Sequence, residues 1–132
     1  MLGVLHHVEL WVPDLAGSVR PWAWLLSELG WVPFQDWPGG RSWRHRDVYL
    51  VLEQSPARSG DIHDRLAPGL NHLAFTAAGP AEVDRLTEEA PDHGWTLLFP
   101  DRHPHAGGPD SYAAYFEDAW GYEVEIQSSP PA

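Results

Sequence analysis

The 132-residue chain contains no cysteine, and all eight of its basic residues are arginine. Without cysteine there is no disulfide, no thiolate metal ligand and no cysteine nucleophile. Without lysine, Schiff-base chemistry and a lysine general base are excluded. Positive charge is scarce altogether: nineteen acidic residues against eight arginines give a formal charge of −11 at pH 7. A nucleic-acid partner needs a basic face, so that class is excluded. Strongly anionic ligands are disfavoured unless arginines gather locally. No apolar run approaches the roughly 18 residues of a membrane span, and the N-terminus shows no basic stretch followed by an apolar one. No membrane partner and a cytoplasmic address are therefore expected.

What the chain has in excess is tryptophan, eight in all, with eight histidines. Core packing accounts for most tryptophans in a chain of this length, and an aromatic ligand pocket would use a few. The hydrophobic share of 43% suits one small domain or two modules sharing a core.

The organising stretch is Leu5–Leu15. It alternates as a strand, with His7, Glu9 and Trp11 on one face and His6, Val8, Leu10 and Val12 on the other. Pro13 ends the strand, and Asp14 is placed to cap a helix over 15–29 that Gly30 closes. Pro21 should kink that helix or delay its start to near Ser18. Short strands follow at 31–35, 42–46 and 48–54, with Pro33 pointing to an edge or a bulge. A polar connection, 55–68, reads as a linker in which His63-Asp64-Arg65 is solvated. The order then repeats: a strand over 70–77, a helix from Pro80 to about Asp92, and strands over 95–99, 112–117 and 122–127. The loop 100–110 intervenes, and the tail 128–132 should fray.

The expected architecture is α+β: two βαβββ modules, 4–54 and 69–128, joined by the 55–68 linker in a single domain. Neither module can close its sheet alone. Paired, they form a half-open, cupped mixed sheet with the helices outside. His7 and His72 hold equivalent first-strand places, and both would face the concavity. On the last strand, Glu123 and Glu125 share a face opposite Val124 and Ile126. Two imidazoles and one of those carboxylates make a facial set that leaves positions open for substrate and water, as catalytic divalent metals require.

These segments resemble the vicinal oxygen chelate superfamily, which includes glyoxalases, bleomycin-resistance proteins and extradiol dioxygenases. The resemblance rests on His-Val-Glu-Leu-Trp-Val-Pro-Asp-Leu at 7–15, Leu-Gly-Trp at 29–31, Gly-Leu-Asn-His-Leu-Ala-Phe at 69–75 and Phe-Glu-Asp-Ala-Trp-Gly-Tyr-Glu-Val-Glu-Ile at 116–126. It departs from the family pattern at Ala119 and Trp120, where proline and an acidic residue are usual. It implies a glyoxalase/bleomycin resistance/dioxygenase-type fold and a divalent metal (Fe, Mn, Ni, Co or Zn) on His7, His72 and Glu125, with Glu53 as a possible fourth ligand. It also implies a small oxygenated substrate chelated to that metal, lyase, isomerase, transferase or dioxygenase chemistry, and a homodimer. Glu125, Glu53 or His105 would serve as the base, and loop 100–110, with His103 and His105, as a lid. Trp43, Tyr115, His103 and Arg46 are the expected pocket residues. The alternative within the same family is a drug-binding protein that sequesters a cationic aromatic molecule without catalysis.

Overall fold

The computed structural model describes residues 2–128. They divide between Ile62 and His63 into two compact units built on one plan. In the first, β1 (His7–Trp11) is followed by α1 (Leu15–Glu28), β2 (Val32–Trp37), β3 (Gly40–His45) and β4 (Val48–Glu53). Its four-stranded sheet has the order β1-β4-β3-β2, with β1 parallel to β4 and the other pairs antiparallel. The second unit repeats this as β5 (His72–Ala77), α2 (Pro80–Glu89), β6 (Thr96–Leu98), β7 (Ala113–Glu117) and β8 (Glu123–Ser128). Its order is β5-β8-β7-β6, with β5 parallel to β8. The fold is α+β, as the sequence implies.

Local chemistry sets the element ends. The Asp14 carboxylate accepts from the Gly17 N–H at 3.1 Å and starts α1 at Leu15. The helix then continues through Pro21, which costs it one bond to the carbonyl four residues back. At its far end Gly30 takes φ 88°, and the Trp31 N–H returns to the Leu26 carbonyl at 2.8 Å. Helix α2 is shorter than its pattern predicts. After Glu89 it tightens into a 3-10 helix over Ala90–His93, where Pro91 supplies no N–H to an α-helical ladder. Strand β2 lies at a sheet edge and shifts register between Pro33 and Asp36.

Each sheet buries one face against its helix. In the first unit Trp22, Leu25 and Leu26 of α1 meet Leu50 and Leu52 of β4 and Trp43 of β3. In the second, Val83 and Leu86 meet the face that carries Phe116, Val124 and Ile126. Among the described residues no helix is long and apolar enough to cross a membrane. Ser128 closes β8 through its N–H to the Tyr112 carbonyl at 2.9 Å. The rest of the tail expected to fray lies outside the described residues.

Within the 55–68 connection, His63 and Arg65 are not solvated as its composition suggests. The His63 ring stacks on Tyr122, centroids 4.3 Å apart. Arg65 reaches Glu117 at 2.7 Å and Glu123 at 2.8 Å. The cause lies in the register. Glu117 and Glu123 are directly paired across β7 and β8, so two carboxylates share one place and require a cation. The same segment sets the residue at the hairpin turn. Gly121 takes φ 89°, and a Cβ there would lie 2.9 Å from the His63 carbonyl. Glu123 is only 6% exposed at its side chain. Arg65→Met, which leaves that charge uncompensated, should therefore destabilise the chain by about 3 kcal/mol. The expected observation is a lower urea midpoint, largely restored when Glu123→Gln is added.

Candidate functional site

The open face of the second sheet follows from alternation and register. His72, Ala74 and Thr76 on β5 stand beside Glu123, Glu125 and Gln127 on β8, which stand beside Glu117, Tyr115 and Ala113 on β7. On this face His72 Nε2 lies 3.1 Å from Glu125 Oε1. The Tyr115 hydroxyl hydrogen-bonds to the Glu125 carboxylate. Burial, then the charge of Glu125 and this bond, hold the Tyr115 phenol above its ordinary value, so it keeps its proton at neutral pH.

The hydrogen bonds around His72 assign its protons. The Asn71 side chain approaches the Arg65 carbonyl at 3.0 Å, and a carbonyl only accepts, so the amide nitrogen faces it. The amide oxygen therefore faces His72 Nδ1 at 2.7 Å, a place that suits an Nδ1–H donor. A neutral ring then presents a bare lone pair on Nε2 toward a carboxylate oxygen. Two acceptors at 3.1 Å repel unless a second ring proton or a cation lies between them. An imidazole nitrogen and a carboxylate oxygen are both donors to divalent ions, so this pair could hold one between them. Among the described residues no three His, Asp or Glu side chains gather into a complete ion cage.

The first sheet presents a different open face. His7 is exposed and stacks on Tyr49, with centroids 4.8 Å apart and planes 7° apart. His6, expected on the helix side, instead brings Nδ1 to 2.9 Å from His7 Nδ1 and sets its ring edge against Tyr49. Because β1 begins only at His7, the alternation that assigned His6 to the other face does not extend to it. Phe34 packs on the same tyrosine and carries the Arg44 guanidinium over its ring at 5.3 Å.

Other expected pocket residues fall elsewhere. Trp43 is 4% exposed on the helix-covered face, where it packs as core. Arg46 is an exposed turn residue with φ 56°, and its carbonyl accepts from Arg44. His105 is held by the Ser111 carbonyl at 2.6 Å and meets Tyr112 edge-on. It lines a cleft of about 640 Å3 with Ser111, Tyr112 and Gln127, a lining that omits His72 and Glu125. His103 is half-buried, and its Nδ1 makes no hydrogen bond among the described residues. Loop 100–110 reaches Tyr115 through a glycine: a Cβ on Gly107 would lie 2.8 Å from the Tyr115 hydroxyl oxygen. Neither loop histidine makes that approach. Asn71 and Arg65 have a place at the His72 ring that sequence reasoning missed. The available signal was the count of carboxylates on alternate positions of the last hairpin, which calls for a nearby arginine.

Residues 6–115 match the model of the Glyoxalase/Bleomycin resistance protein/Dioxygenase superfamily. The chain belongs to that superfamily. The uncharacterized protein YqjT of Bacillus subtilis (strain 168) is 44% identical over 124 residues, 92% of this chain and 96% of that protein. A crystal structure of a candidate glyoxalase from Bacillus halodurans is also 44% identical, covers 97% of both chains and superposes with a TM-score of 0.92. FosX, a fosfomycin resistance protein of Listeria monocytogenes solved with Mn(II), shares the fold at 19% identity and a TM-score of 0.69, covering 98% of this chain and 94% of that one.

Within this glyoxalase-superfamily chain the two units differ where it matters. Glu125 pairs with Ala74, two residues past His72. The corresponding place in the first unit, two residues past His7, pairs Glu9 with Val51. Glu53 pairs instead with Trp11, a further two residues on, about 7 Å along the strand. The repeat therefore places valine, not Glu53, at the position equivalent to Glu125.

The raised Tyr115 value has a consequence for stability. Below the unfolded tyrosine value, near 10, Tyr115 is protonated in both states and contributes no pH dependence. Above it the unfolded chain loses the proton first, so stability falls as pH rises through the folded value. Tyr112 and Tyr122 are raised as well and act in the same direction. Tyr115→Phe should reduce the alkaline slope of the urea midpoint between pH 9 and pH 11 without abolishing it.

Proposed function

We propose that the chain is a divalent-metal-dependent enzyme that binds a small oxygenated substrate through the metal, with lyase, isomerase or transferase chemistry. The observation that carries this reading is the approach of His72 Nε2 to Glu125 Oε1 at 3.1 Å, with the Asn71 amide oxygen 2.7 Å from the other ring nitrogen. His72 and Glu125 would hold the ion; His7, which opens β1 as His72 opens β5, is the equivalent candidate donor of the first unit. Such an ion polarises a substrate oxygen as a Lewis acid. The chain's own groups do the rest. Tyr115 keeps its phenolic proton, which it donates to Glu125 and can redirect to an oxygen seated beside that carboxylate. The carboxylate of Glu125 is the nearest group able to accept a proton there. Neither His105, tied to Ser111, nor Glu53, out of register, is needed for that role.

A second reading, sequestration of a cationic aromatic molecule without catalysis, is favoured by one observation. The first sheet exposes Trp11 at 42% and Phe34 at 45% in a chain of strongly negative charge. Metal binding separates the two. Protein purified without chelators and offered Mn, Fe, Co, Ni or Zn should take up about one equivalent, and His72→Ala or Glu125→Gln should each weaken uptake by at least about tenfold. A chain that binds none of these metals, or that binds them equally well without His72, removes the enzymatic reading.

A further inference from the structure

His72 needs more than its place on β5 to serve as a donor. An imidazole has two nitrogens, and only the unprotonated one can ligate. Register puts His72 directly opposite Glu123, with Glu125 two residues further on. Left to themselves, the neighbouring carboxylates would draw the ring proton to whichever nitrogen points at them. Nε2 points at Glu125, at 3.1 Å, whereas Nδ1 has only the distant Glu123 Oε2, at 3.8 Å. The Nε2–H form would then be preferred, donating to Glu125 and blocking the lone pair.

One feature opposes that preference. Arg65 is held in place by Glu123 at 2.8 Å and Glu117 at 2.7 Å. The Arg65 carbonyl meanwhile fixes the Asn71 amide through Nδ2 at 3.0 Å and leaves its oxygen 2.7 Å from His72 Nδ1. We propose that Asn71 is a positioning residue: it holds His72 in the Nδ1–H tautomer, so that Nε2 presents its lone pair beside Glu125. Arg65 anchors it. Its bearing on metal affinity rests on the proposed function, but the tautomer itself does not.

The test reads the tautomer without metal. Long-range proton–nitrogen NMR of the imidazoles, on metal-free full chain at about pH 9 where histidine is neutral, should show His72 as Nδ1–H. Asn71→Ala should move it to Nε2–H. Asn71→Asp, which keeps an acceptor oxygen for Nδ1 but gives up the amide N–H that the Arg65 carbonyl holds, should retain Nδ1–H. Wild-type His72 in the Nε2–H form overturns the assignment even if no variant folds, and so does a tautomer that Asn71→Ala leaves unchanged. In the metal-binding assay Asn71→Ala should lose about 10- to 100-fold in affinity for Mn(II) or Co(II), with Asn71→Asp recovering most of it. If wild-type protein shows the Nδ1–H form and its Asn71 dependence yet binds no metal, the positioning role stands and the enzymatic reading falls.

Discussion

Everything at the candidate site depends on the parallel pairing of the first and last strands of a unit. Parallel neighbours keep directly paired side chains on the same face. Pairing β5 with β8 therefore sets His72 and Glu125 on one face, although 53 residues separate them in sequence. The antiparallel return through β7 adds Tyr115 opposite Glu125. The opposite face of the same strands carries the apolar residues that α2 covers. The backbone thus solves packing and donor placement with a single choice of register.

That choice has an electrostatic cost. Glu117, Glu123 and Glu125 come to lie on one sheet face, and like charges in direct pairing repel. The chain answers with Arg65 from outside the sheet. Arginine suits the task because its planar guanidinium offers two donors at fixed spacing to two separate carboxylates. The same stretch of chain delivers Asn71 to His72, so charge compensation and imidazole orientation come from one segment.

How much of this was legible in the sequence follows from the range of each interaction. The strand–helix–three-strand order could be read because alternation, Asp14, Gly30 and Gly121 act locally. His72 and Glu125 could be paired because the repeat and the resemblance supplied the register. The roles of His63 and Arg65 could not be read: the composition around them is that of a linker, and their partners lie about fifty residues away. His6 misled because alternation was extended past the strand end. Trp43 sits on the helix-covered face and also lines a small cleft with Phe34 and Arg41. Glu53 was a matter of register, two residues from the place that the pairing of β1 with β4 marks.

The valine at position 51 has a wider meaning. One backbone plan, used twice, does not oblige both copies to carry the same chemistry. In the second sheet the shared position is a carboxylate within reach of an imidazole. In the first it is a buried aliphatic side chain beside Glu9, on a face otherwise rich in exposed rings. An imidazole–carboxylate pair thus stands at this position in one copy and not in the other. The repeat fixes the backbone of each strand while leaving each side chain free to differ.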